Sequence, residues 1–341
     1  MPAEMAAAGA AAQGAGATGA AGVIHDIGYR RYEGKRHRHP GIVWALYLHS
    51  LRGTLGLGRG AKAKIVPIAA FLVMCLPAVV NAVAVARTGV QQVYYDTYTT
   101  TLRVLVVMVF VGVQAPELVS GDRRYQVLQL YFARPMRRSG YPLAKLAAFV
   151  TACLLLIELP LLLLYVGTIS SEHGTHAVWL QTKQLIPGLG YGALWAVLLA
   201  ATGLVLASLS GRRTYAAGTV AGTLFASFVI SHILIRATEK AVRKAMTFRP
   251  PPGAPLPPGA KGGVVHGFAI KLVPTTAAKL VGLTSPFTIL DSLRQWIGGS
   301  SHPTAVPNPG SYGAVYLGVF IALLVVAGGG LFLRYRKAGL S

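Results

Sequence analysis

The sequence predicts an all-α integral membrane protein with about six transmembrane helices, and three observations carry that prediction. Apolar runs of roughly 20 residues, the length of one helical crossing, recur along the chain. Charged residues are 12% of the 341 positions and hydrophobic ones 53%, so the charged quarter of an ordinary soluble domain is about halved. The basic pairs Arg30-Arg31, Arg123-Arg124, Arg137-Arg138 and Arg212-Arg213 flank or separate the apolar runs, where a membrane chain concentrates them.

Residues 1–23 are rich in Ala and Gly, with neither a basic leader nor a leucine-rich centre. They fail as a signal peptide and are expected to form a disordered tail. Residues 24–64 read as a cytoplasmic arm ending in an interfacial helix. Between positions 40 and 64, Trp44, Tyr47, Leu48, Leu51 and Leu55 recur at three- and four-residue spacing, with His49, Arg52 and Arg59 elsewhere around the helix. That pattern suits a helix lying in the membrane surface.

Residues 65–341 form the six-span domain. The spans read as 65–86, 102–119, 146–169, 185–209, 216–235 and 312–333. The second is the weakest, because Arg103, Gln114, Pro116 and Glu117 interrupt its ends. A further apolar stretch at 269–290 is broken by Lys271, Pro274, Lys279 and Pro286, so it is expected to be interfacial or re-entrant. It belongs to an outer region, 236–311, that also holds the proline-rich run 249–263, a stiff exposed linker.

Orientation follows from counting Lys and Arg. With a cytoplasmic amino terminus, the inner segments hold nine up to Lys64, six over 123–145, two at Arg212-Arg213 and three after Leu333. The short outer loops offer Arg87, Arg103 and Lys183. Both termini are therefore expected to be cytoplasmic. Tyr94, Tyr95 and Tyr98 on one side and Tyr335 on the other suit interfacial aromatics. The net charge of +22 is spent on orientation and builds no continuous basic face with aromatics, so no nucleic-acid partner is expected.

Catalytic signatures are missing. The nearest string to a phosphate-cradling loop, over 56–62, has Ala on both sides of Lys62, and neither a Gly-x-Ser-x-Gly elbow nor a His-Glu-x-x-His helix occurs. No enzyme activity, cofactor or metal site is expected on this chain. Cys75 and Cys153 fall inside apolar runs and form no disulfide framework. His173 and His176 beside Glu172 have metal-compatible spacing, but a short Gly-containing loop is the better reading. Glu158 is the acid deepest in a predicted span; it is a candidate substrate or proton site, or else pairs with a neighbouring helix.

The segment 121–145 carries the most information. A helix from Arg123 to about Ala133 would present Val127, Leu128 and Tyr131 on one side before Pro135 stops it. Its apolar teeth and basic surroundings suit docking.

The string Ala-Pro-Glu-Leu-Val-Ser-Gly-Asp-Arg-Arg at 115–124, then Leu-Tyr-Phe-Ala-Arg-Pro-Met-Arg-Arg at 130–138 and Tyr-Pro-Leu-Ala-Lys at 141–145, resembles the loop between spans two and three of type-2 ABC transporter permeases. An acidic-basic start, a Pro followed by basic residues and a Lys opening span three recur in that family. Gly-Tyr-Arg-Arg-Tyr-Glu-Gly at 28–34 is similar to the amino-terminal arm of bacterial, particularly actinobacterial, members. Ser-Pro-Phe-Thr-Ile-Leu-Asp-Ser-Leu-Arg-Gln-Trp at 285–296 resembles their outer segment before the last span.

The resemblance runs from about residue 24 to the carboxyl terminus. It implies a connecting helix at 40–64, re-entrant helices before span six, and a coupling helix at 123–134. Arg123, Arg124, Val127, Leu128, Tyr131, Arg134, Arg137 and Arg138 would then face an ATPase. The implied partners are cytoplasmic ABC ATPase subunits holding MgATP, a second permease subunit forming a homodimer or heterodimer, and the lipid bilayer of the plasma membrane. The implied activity is export of an unidentified substrate. The proline-rich insertion after Arg249 and the Ala/Gly tail depart from the family pattern. Three rivals stay open. One is a proton-coupled secondary transporter using Glu158, although no internal repeat accompanies it. The others are a membrane-embedded enzyme and a receptor-like or assembly protein.

Overall fold

A computed structural model of the chain describes residues 39–89, 101–125, 127, 130–131, 137–171, 174–248, 265–273, 275–298 and 306–337. The amino-terminal tail, the 28–34 arm, Tyr94, Tyr95, Tyr98, Leu128, Arg134, Glu172, His173 and the 249–263 linker lie outside them.

Helix α1 (His39–Thr54) is followed by α2 (Ala61–Thr88), α3 (Thr101–Arg124), α4 (Gly140–Ile169), α5 (Thr175–Leu209) and α6 (Arg213–Thr238). Strands β1 (Lys240–Phe248) and β2 (Val265–Val273) come next, then the short α7 (Thr276–Val281), α8 (Pro286–Gly298) and finally α9 (Gly313–Lys337). Six of these, α2 to α6 and α9, are long and apolar enough to cross a membrane. They coincide with the six runs read from the sequence, so the chain is a multi-pass membrane protein. Proline falls inside α2, α3, α4 and α5. An interior proline removes a backbone bond at a cost of about 3 kcal/mol in water, and packed neighbours within a membrane bundle reduce that cost.

At the centre, α4 packs on α1, α2 and α5, while α3 packs on α5 and α6. Phe149, Ala152, Cys153 and Leu156 of α4 and Ala196, Leu198, Leu199 and Leu204 of α5 are fully buried. Helices α2, α6 and α9 keep most of their apolar surface exposed, as lipid-facing helices do.

Contacts sort the bundle into two ends. At one, Tyr335 near the end of α9 rests against Tyr141 at the start of α4, with ring centroids 4.9 Å apart. Arg334 reaches the Leu209 carbonyl at the end of α5 (3.3 Å), and Arg59 after α1 reaches Glu117 in α3. Tyr335 is therefore a core residue, 5% exposed, not the interfacial aromatic its position suggested.

Helix α1 packs on the bundle through part of its expected apolar face. Tyr47, Leu51 and Leu55 pack against the bundle core, and the Tyr47 hydroxyl donates to Thr151 of α4 (3.0 Å). Trp44, read as part of the same face, is 60% exposed and stacks on the Tyr47 ring with centroids 5.0 Å apart. A spacing of three and four identifies a face but not whether lipid or protein covers it. Between α1 and α2 the chain turns through Gly56 and Gly58, both at positive φ. A Cβ at Gly56 would meet the Ala63 carbonyl oxygen at 2.7 Å, so the glycines that mimic a phosphate loop serve this elbow.

The opposite end holds an element the sequence reading lacked. Strands β1 and β2 pair antiparallel, Lys240 opposite Val273 and Phe248 opposite Val265. The 269–290 stretch is split three ways between β2, α7 and α8. Thr275 caps α7 by accepting from the Ala278 amide (3.2 Å). Pro286, read as a break, is the first residue of α8, where a missing N–H costs nothing.

Candidate functional site

The residues of the 115–124 string gather charge where α1, α3, α4 and α6 meet. Glu117, 11% exposed, pairs with Arg59 at 2.6 Å and also with Arg213 at the start of α6. One turn further along α3, Asp122 accepts from the Tyr141 hydroxyl (2.7 Å) and pairs with Lys145 (2.8 Å). The Lys145 side chain, 6% exposed, also donates to the Leu118 carbonyl (2.9 Å). An enclosed ammonium needs partners to offset its lost hydration, and here α3 supplies both a carboxylate and a carbonyl.

A cavity of about 690 Å³ opens beside these pairs, walled by α1, the end of α3, Lys145 and Arg213. Ser50 of α1 lines it, 2% exposed, and its hydroxyl has no hydrogen-bond partner among the described residues. An adjoining hollow of about 540 Å³ shares Arg59, Glu117 and Arg213 and adds Lys62.

The expected coupling residues lie just beyond. The reading of a helix beginning at Arg123 is corrected: α3 runs on through Arg123 and Arg124, turns at Tyr125 and Val127, and is helical again at Leu130 and Tyr131. The Val127 amide still bonds back to Asp122 (3.0 Å). Val127 and Tyr131 are half-buried, and the Tyr131 ring leans on Tyr141 with centroids 5.7 Å apart. Arg137 and Arg138 are exposed. Glu117, Asp122, Lys145, Arg59 and Arg213 all figure in the sequence reading, but none as a site residue. The available signal was an acid five residues from another in a chain with ten acids in all.

Glu158 belongs to a different place. It sits thirteen residues past Lys145 on α4, about 20 Å along the helix. Both carboxylate oxygens are buried without a hydrogen-bond partner among the described residues. They occupy the seam between α4 and α5 opposite Gly192, where an added Cβ would collide with the carboxylate and stand 3.0 Å from Ile157. Glycine at 192 thus makes the slot that Glu158 fills.

On the opposite end, α8 holds a half-buried polar group. Asp291 is met by Arg294 and by the Tyr191 hydroxyl of α5, each at 3.3 Å, and Arg294 lies over the Tyr191 ring. Burial pushes the Asp291 carboxyl above its usual range, while Arg294, Tyr191 and His232 pull the other way. The folded chain therefore holds this proton more tightly than the unfolded chain. Its contribution to stability falls as pH rises from about 4 through the raised value. Thermal unfolding in detergent across that range should show Asp291→Asn and wild type converging near the acid limit, with the variant the more stable as pH rises.

Among the described residues no group of three His, Cys, Asp or Glu could hold a metal. No family model matches the chain, and no curated protein is similar to it.

Proposed function

We propose that this chain is the membrane-spanning permease subunit of an ATP-binding-cassette exporter, with both termini cytoplasmic and the plasma membrane as its site. The observation that carries the reading is the 115–145 segment: its acidic residues bind α1, α4 and α6 together at one end of a six-helix bundle, and it exposes Arg137 and Arg138 beside them. A push on such a segment is transmitted to several spans at once, as coupling of ATP hydrolysis to transport requires. The gathering of α1 and the end of α9 at that same end suits a chain whose basic ends share one face. Helices α7 and α8, short and set against α5, α6 and α9, suit the re-entrant pair of the resembled family. MgATP is bound by separate ATPase subunits in this reading, and a second permease copy or homologue completes the transport path.

The test uses exposed or half-buried positions, because Tyr131 is part of the packing against Tyr141. Val127→Asp combined with Arg137→Glu and Arg138→Glu should leave membrane insertion and thermal midpoint near wild type while abolishing co-purification of an ATPase subunit. Undiminished association and ATP turnover in that variant would sink the proposal. The secondary-transporter rival is favoured by one observation, a Glu158 carboxylate with no hydrogen-bond partner among the described residues. Its mark is substrate movement driven by a proton gradient without ATP and lost in Glu158→Gln.

A further inference from the structure

We propose that the cavity between α1, α3 and α6 is a phosphate-binding site, and that it takes the headgroup of an anionic phospholipid from the adjoining leaflet. The inference does not depend on any ATPase partner.

Charge comes first. Arg52, Arg59, Lys145 and Arg213 line the cavity and Lys62 the adjoining hollow, against two carboxylates, Glu117 and Asp122. Glu117 holds Arg59 and Arg213 in fixed positions. Arg52 and Lys62 are exposed and have no ion-pair partner among the described residues. Phosphate oxygens accept hydrogen bonds only, so they suit a site whose unspent groups are donors. The buried Ser50 hydroxyl, lacking a partner among the described residues, supplies one more.

The lipid source is argued from what adjoins the site. Ala61 and Ala63 at the start of α2 wall the hollow. From there Ile65, Ile68, Leu72 and Leu76 recur at helical spacing down α2, each more than half exposed. A phosphate at the top of that stripe has an apolar track for acyl chains directly below it, which a soluble phosphate would leave unused. Leu57, also exposed, lies in the cavity wall. The cavity volume falls within the roughly 300–1,000 Å³ of ordinary small-molecule sites, and basic pockets at membrane interfaces select anionic headgroups on this principle.

The experiment is thermal unfolding of the full chain in neutral detergent with added phosphatidylglycerol, phosphatidylcholine or inorganic phosphate. Three proteins are compared: wild type, Arg52→Ala with Lys62→Ala, and a charge control, Lys240→Ala with Lys244→Ala on β1. The expected result is a saturable rise in midpoint with phosphatidylglycerol alone, kept in the control and lost in the cavity variant. Equal effects of the two lipids, or a phosphatidylglycerol effect that survives in the cavity variant, overturns the site. Inorganic phosphate reproducing the full shift, with lipid adding nothing, overturns the lipid assignment. Should the cavity variant fail to fold, mass spectrometry of lipid retained by the wild type decides: enrichment of phosphatidylglycerol over the host membrane supports the site, and none refutes it.

Discussion

Lys145→Ala is expected to destabilise the folded chain by about 3–5 kcal/mol, the range for removing one partner of a buried ion pair. The change strips Asp122 of its cation and the Leu118 carbonyl of its donor, and Asp122 is only 21% exposed. Among the described residues the Tyr141 hydroxyl remains to donate to Asp122, and a neutral donor does not offset the charge. A thermal or denaturant unfolding series in detergent reads the effect. Lys145→Met combined with Asp122→Asn should recover most of the loss, because a neutral replacement of both partners leaves no uncompensated charge. If the double variant is no better than the single, the cost lies in packing around the lysine stem and the electrostatic account is wrong.

Glu158→Leu is expected to act in two opposite directions. Stability should rise by about 1–3 kcal/mol, the penalty that a buried unsatisfied polar group imposes, since leucine fits the slot opposite Gly192 without a carboxylate to satisfy. On the exporter reading proposed above, ATP turnover of the complex should fall sharply, because a residue held at a stability cost is one a transport cycle would use. Turnover that stays level while stability rises would reduce Glu158 to a packing residue. Gly192→Ala checks the geometry from the facing helix. Its Cβ must displace the carboxylate, so it should cost stability in wild type and little in the Glu158→Ala background.

Hydropathy made the spans legible because the bilayer sets one length for all of them, and six runs gave six helices. It undershot the starts of α4 and α5 for a particular reason. Tyr141, Lys145 and Lys183 read as polar, yet they belong to helices whose polar groups are held by neighbours at the bundle end or lie outside the apolar layer. The charged site was partly visible as the string 115–124. Its meaning was not, because Glu117 finds its cations 58 positions earlier and at the far side of two further spans. Glu158 stood out as an acid among leucines, whereas Gly192 did not, since glycine in an apolar helix has many uses. The 269–290 stretch misled because one window averaged the second half of a strand and two short helices that turn against one another.

The double hold on Glu117 also bears on how the chain is made. Arg59 precedes Glu117 in synthesis, and Lys145 follows Asp122 closely, so each acid of α3 meets a cation soon after it emerges. Arg213 arrives ninety-six residues after Glu117, roughly 5 to 20 s later at ordinary translation rates. The polar end of the weakest span thus has Arg59 and Lys145 within reach while α5, α6 and α9 are still to be made, and the arrival of α6 tightens a junction already formed.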